Sequence, residues 1–153
     1  MNVKADESWV VPATWEKLNP VWRDRILVIL EDLAGLSGLD WVAVLDEEAR
    51  ALTKVIGPGG SLRPPEEMPS LARFALLARE YSRAWKAVGE REPSHIIEEI
   101  ENCIVVTGIV ADLVIVAGFK EGVARGAVVM RLTKRIRHLR SLQKSRERGA
   151  LYV

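Results

Sequence analysis

Cysteine occurs once in the 153 residues, at Cys103. A lone thiol closes no intrachain disulfide, supplies no CxxC redox pair and builds no thiolate zinc cage, which suits a reducing cytoplasm. Histidine occurs twice, as His95 and His138, in no HExxH arrangement, and there is no GxSxG elbow. Zinc-peptidase and serine-hydrolase chemistry therefore lack their reactive groups. Asparagine and glutamine together number four (Asn2, Asn19, Asn102 and Gln143), a shortage of heat-labile amides that points weakly to a thermophilic source. The opening residues, MNVKADESWVVP, carry Asp6 and Glu7 and no apolar stretch of signal-peptide length, so the expected location is cytoplasmic.

What is present has a globular balance. Hydrophobic residues make up 48% and charged residues 28%, which supports a real core and does not fit a disordered or low-complexity chain. A domain of this size buries roughly 70% of the surface its unfolded form exposes. The net charge of +1 hides an uneven distribution: residues 131–148 hold eight Lys or Arg against the one acid Glu147, leaving 14 bases and 20 acids elsewhere, a net −6. An acidic body with a basic end suits an anionic partner, a neighbouring copy's acidic surface, or simply a solvated helix face.

Hydropathy periodicity divides the chain without a visible repeat or linker. Asn19-Pro20 reads as an N-cap followed by proline at the first helical position. Trp22, Ile26, Ile29, Leu30 and Leu33 then recur at helical spacing until Gly35 stops the run. Residues 39–46 (LDWVAVLD) and 49–56 read as two strands on either side of Glu47-Glu48. Residues 57–69 (GPGGSLRPPEEMP) contain three glycines and four prolines, so they form a loop. Leu71, Phe74, Ala78, Tyr81, Trp85 and Val88 are spaced by three and four. That spacing predicts the inward seam of a second helix, with Arg73, Arg79, Arg83 and Lys86 on its other side.

Beyond Pro93, residues 94–101, 103–110 and 113–119 read as an antiparallel meander. The run 103–119 (CIVVTGIVADLVIVAGF) approaches the length of a membrane span. Asp112 at its middle, Gly108, Gly118 and the weight of Val and Ile favour two buried strands turning at Ala111-Asp112 instead. Glutamates fall on both faces of 94–101, which marks that strand for a sheet edge. Val129, Leu132, Ile136, Leu139 and Leu142 mark a last helix.

Few side chains offer chemistry. Gly57, Gly59, Gly60 and Ser61 lack the lysine and the spacing of a phosphate-binding loop. Asp46, Glu47 and Glu48 could act as an acid and base pair, but three acids in a hairpin are more simply turn formers. His95, His138 and Cys103 stand alone, and the small-residue spacing of Gly122 and Gly126 suits close packing. The basic end, with Arg131, Lys134, Arg135, Arg137, Arg140 and Lys144, could grip phosphates but has no aromatic platform for bases. No catalytic residue, cofactor or metal is expected.

Two stretches carry a family pattern. Ile29-Leu30-Glu31-Asp32-Leu33 leads through Gly35-Leu36-Ser37-Gly38-Leu39 into Trp41-Val42-Ala43-Val44-Leu45-Asp46. Asp112-Leu113-Val114-Ile115-Val116-Ala117 runs through Glu121-Gly122 into Gly126-Ala127-Val128-Val129-Met130-Arg131-Leu132. In these, and in its order of elements over residues 19–142, the sequence resembles the roadblock (dynein light chain type) family. The resemblance implies an α+β, roadblock/profilin-like fold: a five-stranded antiparallel sheet with helices packed on it, in the order α-β-β-α-β-β-β-α. Residues 1–18 would be an N-terminal extension and 143–153 a basic C-terminal tail. It also implies a noncatalytic homodimer in which the third strand pairs with its twin and the second helices lie side by side. Such a dimer would bind a Ras-like small GTPase or serve as an adaptor on a larger signalling or motility complex.

On this chain the expected dimer surface comprises Ile97 and Glu99 of the edge strand with Ala72, Ala75, Tyr81 and Ser82 of the second helix. The expected partner-binding residues are Arg73, Arg79, Arg83 and Lys86. The alternative is a nucleic-acid or anionic-surface module using the basic terminal helix. The proline-rich loop 57–69, the first eighteen residues and the basic tail depart from the family pattern.

Overall fold

The structure, a computed structural model, describes residues 12–34, 38–46, 48–56, 68–89, 95–100, 103–110, 113–120, 126–127 and 130–137. In chain order the elements are α1 (Pro12–Trp15), α2 (Pro20–Ala34), β1 (Leu39–Asp46), β2 (Ala51–Ile56), α3 (Met68–Ala87), β3 (His95–Ile100), β4 (Cys103–Val110) and β5 (Leu113–Lys120). A last helical stretch, α4, spans 130–137. The five strands form one antiparallel sheet in the order β2-β1-β5-β4-β3. The expected architecture is therefore the observed one, with the short α1 in addition.

Local chemistry explains the boundaries. The Asn19 side chain accepts a hydrogen bond from the Val21 N–H at 3.0 Å, and its carbonyl accepts from Trp22 N–H at 2.9 Å, so α2 starts where its cap stands. The apolar run 103–119 becomes β4 and β5, paired in register from Cys103 with Lys120 to Val110 with Leu113. Among the described residues no helix is long and apolar enough to cross a membrane.

Side-chain alternation sends two sets of residues to opposite faces. On one face Val42, Val44, Ile104, Val106, Ile115, Ala117 and Phe119 meet α2 and α4 through Trp22, Ile26, Leu30, Leu33, Leu132 and Ile136. Trp15 and Leu18 also join this cluster, so residues within the expected N-terminal extension contribute to the core. On the other face Trp41, Ala43, Leu45, Val105, Val114 and Val116 meet Leu71 and Ala75 of α3. The result is three layers, with the sheet in the middle. Each fully buried Leu or Ile in it stabilises by about 1.5–3 kcal/mol.

Two glycines set how near the layers come. A Cβ on Gly108 of β4 would lie inside contact distance of Ile136 Cδ1, and one on Gly118 of β5 would overlap the Trp41 indole. Both side chains rest directly on bare backbone. Gly108→Ala should therefore cost about 1–3 kcal/mol in chemical unfolding. Because the obstacle is one side chain, a cycle with Ile136→Ala should show a favourable coupling of about 1 kcal/mol or more; additive losses would mean that Gly108 is needed for another reason.

Candidate interaction surfaces

Helix α3 packs over β4, β5 and β1, and its inward line differs from the expected seam. Leu71, Ala75, Ala78 and Ser82 are 1%, 1%, 2% and 6% exposed. Tyr81, Trp85 and Val88, expected to face in, are 50%, 39% and 71% exposed. Phe74 is half-buried, with its ring 6.5 Å from that of Trp41. Size accounts for the difference. Small residues let the helix axis approach a sheet face already filled by Trp41, Val105 and Val116, whereas Tyr and Trp on that line would hold it off.

At about 100° per residue, Leu77, Tyr81, Trp85 and Val88 form a stripe roughly a quarter turn from the inward line. Tyr81 and Trp85 lie ring to ring at 6.2 Å. On the opposite flank stand Arg79, Arg83 and Lys86. Arg83 holds the exposed Glu80 at 2.7 Å, while Arg79 is half-buried with Nε and Nη2 shielded and without a hydrogen-bond partner among the described residues. Arg73 is exposed.

Of the expected dimer residues, Ala75 and Ser82 lie inside the protomer, where they bring α3 close to its own sheet, and Ala72 is half-buried. Tyr81 faces solvent, as do Ile97, 42% exposed, and Glu99. β3 pairs with β4 along one side, and among the described residues its other edge has no strand against it.

The basic end divides as well. Arg131, Lys134 and Arg137 are exposed, whereas Arg135 forms a two-pronged pair with Asp32 of α2, Nε to Oδ2 at 2.5 Å and Nη2 to Oδ1 at 3.0 Å. That pair ties α4 to α2. Arg140 and Lys144 lie outside the described residues, as do Gly57, Gly59, Gly60 and Ser61.

Of the candidate carboxylates of the first hairpin, Asp46 closes a turn and Glu48 is exposed beside Arg50, while Glu47 lies outside the described residues. Asp46 is wholly buried at the end of β1. Its Oδ1 accepts from the Glu48 N–H at 3.0 Å and the Arg50 N–H at 2.8 Å, and its Oδ2 accepts from Arg50 Nε at 2.7 Å. The carboxylate thus closes a turn in which Ala49 takes a positive φ of 64°. No group of three or more His, Cys, Asp or Glu suited to a metal occurs among the described residues.

No protein-family model matches the chain, and no curated protein matches it by sequence. Solved structures do match in shape. The gliding protein MglB from Thermus thermophilus aligns with a TM-score of 0.68 at 15% identity, over 92% of this chain and 99% of that one. MglB of Myxococcus xanthus aligns at 0.61 and 18% identity, over 75% and 91%. A Roadblock/LC7 domain from Streptomyces avermitilis aligns at 0.52 and 9%, over 74% and 92%. The chain has the roadblock fold.

If Asp46 is a turn clasp, Asp46→Ala should lower the unfolding free energy by about 2–3 kcal/mol, because two backbone N–H groups and a guanidinium lose their acceptor. Glu48→Ala, on a solvated side chain, should cost less than about 0.5 kcal/mol in the same urea titration.

Proposed function

We propose that this chain is a noncatalytic homodimeric adaptor that docks a Ras-like small GTPase, or a motility complex containing one. The observation supporting the dimer is the placement of exposed apolar matter. Of nine large exposed hydrophobics among the described residues, five (Leu76, Leu77, Tyr81, Trp85 and Val88) lie on α3 or the turn that ends it. Four of these, Leu77, Tyr81, Trp85 and Val88, share one stripe, and an apolar stripe of this kind marks an interaction surface.

An open β3 edge and α3 on the neighbouring strand suit one operation. A two-fold axis normal to the sheet pairs β3 with its twin and sets both α3 helices on the same side of a continuous sheet. A strand edge alone would bury too little for a stable complex, which takes about 800 Å² per partner, so contact between the helices is part of the interface. The GTPase reading draws its support from the roadblock resemblance and from the likeness in fold to the MglB gliding proteins.

Action follows from binding alone: a surface that prefers one nucleotide state of the partner shifts the partner's population toward that state. Arg79, Arg83 and Lys86, on the flank opposite the apolar stripe, and the exposed Arg73 are the cations of α3 that a partner would meet.

In sedimentation velocity the chain should run as a dimer at micromolar concentration, with Ile97→Pro and Tyr81→Glu each moving it toward monomer; a wild-type monomer excludes the reading. In a pull-down from native lysate, the retained protein should change between GTP and GDP. Recovery of the same set with both nucleotides would remove the GTPase.

A further inference from the structure

The sheet face opposite α3 carries a second feature, which shares Ile97 with the expected dimer surface and nothing with α3. Between β3 and α4 runs an open groove of about 640 Å³. Ile97 and Met130, 42% and 71% exposed, supply its apolar contacts, His95 stands at the start of β3, and Lys134 and Arg137 line its other side. Among the described residues that line it there is no acid. Thr133, which also lines it, is 7% exposed, and its Oγ1 is buried without a hydrogen-bond partner among the described residues.

These properties select an occupant. An enclosed cavity would suit a small molecule, but an open groove with apolar contacts and a cationic side suits a peptide segment. Two exposed apolar side chains in one groove call for an apolar side chain to cover them. Two cations with no carboxylate against them among the described residues call for carboxylates, and a shielded hydroxyl calls for a polar group that reaches in. Arg135 is neutralised by Asp32, whereas Lys134 and Arg137 line the groove. We propose that the β3–α4 groove binds an acidic, amphipathic segment of a protein partner: its apolar side chains seat on Ile97 and Met130, and its carboxylates meet Lys134 and Arg137. This site is separate from the α3 surface and does not depend on the partner being a GTPase.

The test is fluorescence anisotropy of the full chain with a short fluorescein-labelled helical peptide of leucine and glutamate. Saturable binding is expected. Met130→Asp and the double change Lys134→Glu/Arg137→Glu, all at exposed positions, should each weaken it by about ten-fold or more. Thr133→Val should weaken it by about three- to ten-fold with the circular dichroism and melting temperature retained.

No binding, or binding unchanged by Met130→Asp and the double variant, overturns the proposal. Equal affinity for polyglutamate would reduce the groove to bare charge and overturn it too, as would tighter, equally variant-sensitive binding of phosphatidylserine vesicles or of duplex DNA. Loss of self-association in Met130→Asp would assign the groove to a second copy of the chain instead. The α3 readings fail by other outcomes: Tyr81→Glu, which leaves this groove intact, should leave peptide affinity unchanged.

Discussion

The two central strands, β1 and β5, are covered on both faces, and this constraint governs the rest of the molecule. Val42, Val44, Ile115 and Ala117 look to one side, and Trp41, Ala43, Val114 and Val116 to the other, all nearly inaccessible to water. A sheet so apolar on both sides needs a helical layer on each. The chain meets that need by crossing from β2 through α3 and returning through the β3–β4–β5 meander, which leaves β3 and β2 at the rims. Everything offered to a partner then lies on the outer surfaces of the helical layers or along the rims.

α3 shows how one helix serves both demands. Its inward line is made of Ala75, Ala78 and Ser82 with Leu71, so most of its bulky apolar residues are not used in the core. They form a separate stripe beside it. Burial on both sides of the sheet is thus achieved with few large side chains from α3, and the surplus becomes surface.

The architecture was legible in the sequence because each element carried its own signal. Asn19-Pro20 announced α2, the Val and Ile run with Asp112 inside it announced β4 and β5, and the glycine- and proline-rich stretch separated β2 from α3. Orientation about the helix axis was not legible in the same way. Leu71, Phe74, Ala78, Tyr81, Trp85 and Val88 satisfy helical spacing as well as the true inward line does, and periodicity cannot say which of two adjoining stripes faces in; the small size of Ala75 and Ser82 was the available clue. In the sequence those two residues suit the approach of a neighbouring helix, whereas the neighbour they admit is the chain's own sheet. The Asp46 clasp has no signature in the sequence, because three successive acids look alike until one of them is buried. The β3–α4 groove joins residues well separated in the chain, His95 and Ile97 with Gly126, Met130 and Arg137, and the register of His95 with Gly108, together with Ile136 resting on that glycine, brings them together.

Gly108 gives α4 a mechanical character that a flat sheet would not. Ile136 drops into a notch where β4 has no side chain, so sliding α4 along the sheet would drive that side chain against the neighbouring side chains of β4. With Arg135 also paired to Asp32 of α2, the helix is anchored at two points, and both bear on where Lys134 and Arg137 stand beside β3.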